Sequence, residues 1–260
     1  MRISWASLAQ VGRAMRVVGR YVAMLPSQPR VTQRFFGSLL RYITVYNHHA
    51  LYPDNLPERQ LHDIFPGIEG REVCLGHYYE DKAIPYGEAY VIGAISAHLR
   101  PRAVFEIGTF TGGATLLMAR HAGPECEVYT LDMPPDDKSL KLPGVDLDPP
   151  EANASRIGER FRGTEYERQI TQLYGDSATF DYSPYRGKMD LVFVDGSHSY
   201  SYVVNDTRKA LEMLSPRGTI IWDDCANIHP GVPEALDKFG ERLPISRIAN
   251  TRFAAYTRQA

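Results

Sequence analysis

The sequence predicts an α/β fold: an open, mostly parallel, Rossmann-like sheet of seven strands with helices on both faces, plus an N-terminal mostly helical segment. Three observations predict it. From about residue 85 onward, short apolar runs alternate with helix-length stretches, the pattern of a parallel sheet wrapped by helices. The first such run leads straight into a glycine turn, FEIGTFTGG, at residues 105–113, and a helix begins there. Acidic residues then stand where successive runs end, among them Asp132, Asp195 and Asp223.

Taken in order, residues 4–25 read as one amphipathic helix. Trp5, Leu8, Val11, Met15, Val18, Val22 and Leu25 share one side, and Arg2, Arg13, Arg16 and Arg20 cluster on another. Pro26 and Pro29 end it. Residues 31–80 are rich in aromatics, His and Pro and read as helices and loops covering the main domain. The expected division is therefore a basic segment over 1–80 and a main domain over 81–260. In the domain a helix is expected at 86–99, then a strand at 103–107, a helix at 112–121 and a strand at 127–132. A third strand is expected at 169–174, a fourth at 191–195 and a fifth at 219–223. Helices fall at 202–214 and 232–239, and residues 245–249 and 252–257 suit a closing hairpin. Residues 133–168 interrupt this alternation with five prolines and many charges. A stretch of that length is a candidate lid over a substrate.

With 260 residues, 43% of them apolar, a core of ordinary size can form. The net charge of −2 is unevenly spread. Residues 1–53 hold seven Arg and no acid, so the rest carries 22 basic and 31 acidic residues. That asymmetry suggests packing of the first helix on the domain, or contact with an anionic membrane surface or an acidic partner. Cys74, Cys126 and Cys225 are few, odd in number and without a CxxC pair, which fits a reducing, cytoplasmic setting. No apolar run reaches the ~18 residues of a membrane span. Arg13, Arg16 and Arg20 interrupt any secretory apolar region. A homo-oligomer is compatible with all of this.

The candidate site has two halves. Gly108 permits close approach of backbone, and Gly112 lets the helix start nearby. The glycines stand at 108, 112 and 113, not in the GxGxxG spacing of a pyrophosphate cradle. Glu106 beside the turn would repel phosphate and attract the α-amino group of an amino-acid-like ligand. Asp132, at the end of the second strand, can accept both hydroxyls of a ribose. Asp176, in YGDSATF, can accept an exocyclic amine such as that of adenine, or cap a turn. Thr109 and Ser177 complete this binding set. In the other half, parallel strands bring Asp195 of FVDGSHSY together with Asp223 and Asp224 of IIWDD. Three converging carboxylates repel one another unless protonated or shared by a hard cation, for which oxygen ligands favour Mg²⁺ or Mn²⁺. His198, three residues after Asp195, has the chemistry of a general base near neutral pH.

EIGTFTGG, the strand-end Asp132 and GDSATF resemble the successive cofactor motifs of class I methyltransferases. The resemblance covers about residues 85–260. It implies S-adenosyl-methionine bound at the carboxyl ends of strands one to three. VDGSHSY followed by WDD is similar to the methyltransferase family that includes the macrolide-sugar O-methyltransferases and the cephalosporin-pathway protein of like fold. That similarity implies Asp195, Asp223 and Asp224 as ligands of Mg²⁺, and His198 with Asp195 as the catalytic pair. The acceptor it implies is a small molecule bearing a hydroxyl; N-methylation stays open, and not every member uses metal.

Other classes fit less well. A dehydrogenase would need the missing glycine pattern. A non-catalytic cofactor sensor would have no chemical use for three converging acids. Nucleic acid is disfavoured because the domain is acidic with no basic stripe, although a basic arm could reach RNA.

Overall fold

The computed structural model describes residues 55–76, 84–136, 140–143, 156–225 and 229–258, together with Val22, Ala23 and Phe36. The chain divides into two compact units, Met1–Asn47 and His48–Ala260. Apart from Val22 and Ala23, which are helical, the helix expected over 4–25 lies outside the described residues, as do 137–139 and 144–155 of the expected lid.

The second unit is an eight-stranded sheet in the order β1-β7-β8-β6-β5-β2-β3-β4. The strands are β1 Glu58–Arg59, β2 Ala103–Ile107, β3 Glu127–Asp132, β4 Ile170–Tyr174, β5 Met189–Val194, β6 Leu214–Trp222, β7 Ser246–Ile248 and β8 Ala254–Thr257. The helices are α1 Leu61–Ile64, α2 Tyr86–Leu99, α3 Gly113–Ala122, α4 Tyr200–Met213 and α5 Gly231–Gly240. Strands β4, β3, β2, β5 and β6 run parallel, and β8 lies antiparallel between β6 and β7. The expected count of seven strands is corrected by β1. Its two residues pair in parallel with β7, and the Arg247 N–H donates to Pro57 O at 2.9 Å. So short a strand has no periodicity to read. It covers the backbone edge that β7 would otherwise present.

Alternation along the strands builds two cores. On β2, Val104 joins the layer under α2 and α3 with Ile92, Ile95, Leu117 and Met118. Ala103, Phe105 and Ile107 face the other layer, with Val192, Val203, Trp222 and Leu236. A central strand buried on both faces reads as a nearly continuous apolar run, as β2 does. Leu56, Phe65 and Ile68 are also buried in these cores, so residues ahead of position 80 already contribute to this unit. Helix α4 and strands β5 and β6 start two to five residues earlier than the sequence patterns suggest. Leu214, read as the last helical residue, instead opens β6 and pairs with Met189. Among the described residues, no helix is long and apolar enough to cross a membrane.

Parallel strands place the carboxyl ends of β2, β3, β5 and β6 along one rim, the ligand edge of such sheets. The turn after β2 is pressed against the end of β5. Asp195 N–H donates to Ile107 O at 2.8 Å. Gly108 has φ +100°, and a Cβ built there would stand 1.9 Å from the Asp195 carbonyl oxygen. The obstacle is backbone, so it cannot rotate aside. Gly108→Ala is therefore expected to destabilise the fold by about 2–4 kcal/mol. Urea denaturation of the two proteins checks this, and a midpoint equal to that of the parent would contradict the contact.

Candidate active site

The turn between β2 and α3 takes three left-handed residues, Gly108 (φ +100°), Phe110 (φ +49°) and Gly112 (φ +84°). Phe110 is the strained one, since a side chain disfavours that region. Its backbone is held from both sides. Phe110 N–H donates to Asp132 Oδ2 at 2.7 Å, and its carbonyl accepts from Gly158 N–H at 2.9 Å. Arg160 N–H likewise donates to Thr111 O at 2.9 Å. Residues 156–161 of the expected lid are thus docked on the glycine turn, with Phe161 filling the space where a Gly112 side chain would be. The structure gives both glycines a reason in chain packing, beyond any ligand.

Asp132 ends β3 and acts as a brace. Oδ2 also accepts Thr109 N–H at 3.1 Å, and Oδ1 accepts Met133 N–H at 2.7 Å. Burial raises its pKa, partly offset by these three donors. Thr109 turns its hydroxyl inward to Thr130 Oγ1, at 2.6 Å, so its side chain serves the interior. Glu106 is fully buried and accepts from the Thr115 and Thr130 hydroxyls through one oxygen. Its other oxygen, Oε1, is buried with no partner. Desolvation pushes its pKa up to about 8 despite the two hydroxyl donors. Asp176 follows β4. Its carboxylate accepts from the Ala178 N–H (2.8 Å), the Tyr202 hydroxyl (2.8 Å) and the Lys141 N–H (2.9 Å), the turn-capping alternative. The Ser177 hydroxyl is engaged with buried Asp206.

The reactive half assembles at the ends of β5 and β6. One carboxylate oxygen from each of Asp195, Asp223 and Asp224 lies within 4.8 Å of the others. Asp224 stands at φ +53°, which turns its carboxylate toward His198, Nε2 to Oδ2 2.9 Å. Its other oxygen accepts from Arg252 Nη1. Arg252 also binds the carboxylate of buried Glu88 on α2, through Nη2 at 3.0 Å and its own backbone N–H at 2.8 Å. Burial opposes ionisation of Asp224, but His198 and Arg252 outweigh it and hold the acid near 2. Asp223 is driven the other way by burial and by the Asp224 charge, to about 8. Asp195 is raised well above the usual carboxylate range by burial and by both neighbours. A single ionised acid is matched by Arg252 and His198, while two remain undercompensated. A divalent cation would reverse that imbalance, so the donor set fits one.

Sequence reasoning missed Arg252, Glu88, His229, Tyr202 and Gln172. Glu88 lies 164 positions from Arg252, and no spacing rule links an acid on α2 to an arginine before β8. His229 precedes the GV that opens α5, and its ring stacks on His198 with centroids 3.8 Å apart. An imidazole next to a turn carries no signal unless the fold is known. Tyr202 lies on α4 with no motif to mark it, yet its hydroxyl donates to Asp176 Oδ2 at 2.8 Å. Gln172 Nε2 donates to Thr109 Oγ1 at 2.9 Å, tying β4 to the glycine turn.

The strand order and the strand–glycine turn–helix at its centre, with acids along the carboxyl rim, are those of a Rossmann-like α/β fold. Residues 105–225 match the model of a family described as a methyltransferase domain. No curated protein sequence matches the chain. Among solved structures, the O-methyltransferase TomG from Streptomyces achromogenes, involved in tomaymycin synthesis and bound to SAM, is 16% identical. That match covers 69% of this chain and 83% of TomG, with a TM-score of 0.51. A Klebsiella pneumoniae protein with a provisional O-methyltransferase assignment is 15% identical over 77% of this chain and 90% of its own, at a TM-score of 0.50. At such identities these likenesses show the fold.

Glu106 supplies a pH test. Its ordinary value is 4.5, and burial in the fold pushes it up to about 8. Between those values the folded state binds the extra proton, so its contribution to stability is full below the lower value and is lost as pH rises through the upper. Glu106→Gln is expected to lessen the fall in unfolding free energy between about pH 5 and 9. An unaltered slope in denaturant titrations would contradict the assignment.

Proposed function

We propose that this protein is a methyltransferase that uses S-adenosyl-methionine to methylate a hydroxyl oxygen of a small molecule, assisted by Mg²⁺. One observation carries the reading: the glycine turn and the acid–imidazole cluster are in backbone contact through Gly108 and Asp195, so donor and acceptor would meet on one rim. The family match at residues 105–225 supports the chemistry. For the donor, the unpartnered, buried Glu106 Oε1 suits an ammonium group. Asp132 Oδ1, with one N–H bound, has capacity for a ribose hydroxyl. Asp176 would orient the adenine edge through its capped turn, since its oxygens are already engaged.

When bound, S-adenosyl-methionine would supply a sulfonium methyl carbon to the acceptor oxygen, the C–O bond forming as the C–S electron pair returned to sulfur, with S-adenosyl-homocysteine as the second product. The acceptor's proton needs a base. Pairing of His198 Nε2 with an ionised Asp224 favours the ring proton on that nitrogen, so Nδ1 carries the basic lone pair. Asp224 therefore acts through His198, fixing its tautomer and its angle. Asp195, Asp223 and Asp224 would hold Mg²⁺, which when bound supplies Lewis acidity to the acceptor hydroxyl. Residues 156–161, docked on the turn, wall the donor side from water. The excess of acid after residue 53 disfavours a nucleic-acid acceptor.

Arg252 favours a second reading. Its guanidinium already places a permanent cation on Asp224, so transfer without metal is the competing mechanism. Mg²⁺ and EDTA titrations in a methyl-transfer assay separate the two. Activity that rises with Mg²⁺ and falls with EDTA is expected; indifference to both leaves Arg252 as the cation. His198→Ala is expected to lower kcat by about 10²–10⁴-fold, with affinity for S-adenosyl-homocysteine, read by calorimetry, nearly unchanged. Full turnover in that variant removes the base.

A further inference from the structure

Beside the three acids lies a donor set of different chemistry. The His198 and His229 rings stack with planes inclined by 29°. Both Nε2 atoms face Asp224 Oδ2, at 2.9 and 3.6 Å. One donor atom from each of the three residues lies within 4.8 Å of the others. His229 and Asp224 are 5% and 7% exposed, so these are placed groups and not loose surface side chains. The Nε2–Oδ2 separation for His229 is too long for a hydrogen bond. It lies within a few tenths of an ångström of the spacing of two ligands on one ion: with bonds of about 2.1 Å, neighbouring ligands in a tetrahedral or octahedral shell stand roughly 3.0–3.4 Å apart. Two imidazole nitrogens and one carboxylate oxygen are a poor set for Mg²⁺, which keeps oxygen and water, and a good one for Zn²⁺, Co²⁺ or Ni²⁺.

We propose that His198, His229 and Asp224 form a binding site for a borderline divalent transition-metal ion, separate in its donors from the acid triad apart from the shared Asp224, and that its occupation inhibits methyl transfer. Binding takes the lone pair of His198 Nε2. The ring proton must then sit on Nδ1, and the base is withdrawn. This inhibition rests on the function proposed above; the binding does not.

Co²⁺ titration of the full chain, followed by visible absorption, tests the site. One ion per chain with visible d–d bands is expected, retained in excess Mg²⁺ because the two imidazoles do not favour that ion. His229→Gln should weaken uptake by more than the roughly 10–100-fold that loss of an outer-shell partner costs. Asp195→Asn should leave it nearly unchanged. Absent uptake, or uptake lost in Asp195→Asn and kept in His229→Gln, overturns the site. If the variants do not fold, Cu²⁺ bound to the parent protein decides: spin-echo modulation from imidazole nitrogen supports the site, and oxygen ligation alone overturns it. In the assay, Co²⁺ added over saturating Mg²⁺ should slow transfer. A protein with no transferase activity fails only this last arm, leaving the spectral result standing.

Discussion

The contact between the backbones of Gly108 and Asp195 is the constraint on which the rest of the structure depends. It brings the turn after β2 against the end of β5 with no room for a side chain. That closeness sets the glycine turn directly beside the acid-bearing ends of β5 and β6. Everything around the turn then serves to hold its left-handed conformation. Asp132 takes two of its N–H groups, residues 158 and 160 take its carbonyls, and Gln172 ties in the neighbouring strand through Thr109. A strained residue such as Phe110 persists only when its surroundings over-determine it.

The rim's electrostatics are solved unevenly. Five ionisable side chains, Asp195, Asp223, Asp224, Glu88 and Arg252, are gathered with two imidazoles in a largely buried space. Arg252 serves Glu88 and Asp224 together, tying α2, the end of β6 and the approach to β8 into one network. Asp224 emerges as the ionised member, and Asp195 and Asp223 bear the cost of burial. A protein can tolerate such a deficit when a ligand is to relieve it, and the same placement lets Asp224 serve both an oxygen-rich and a nitrogen-rich set of donors.

Much of this was legible in the sequence. The bounds of α2, β2 and β3 follow from apolar runs between turn residues, because a central parallel strand must be apolar on both faces. The convergence of Asp195, Asp223 and Asp224 follows from parallel topology alone. What could not be read depends on three-dimensional closure. The Arg252–Glu88 pair joins distant elements, His229 gains meaning only from the ring stacked on it, and β1 is too short for any period. Asp132 and Asp176 were legible as strand-end acids, but not the backbone groups and phenol that occupy them.

The central claim is that the sulfonium donor and the acid cluster share one rim. Methyl-¹³C S-adenosyl-methionine bound to the protein loaded with Mn²⁺ measures this directly, because paramagnetic broadening falls steeply with distance. The account predicts that the methyl resonance broadens severely with Mn²⁺ and sharpens again when Mg²⁺ replaces it. A bound donor whose methyl signal is indifferent to Mn²⁺ would place methyl and acids apart and contradict the account.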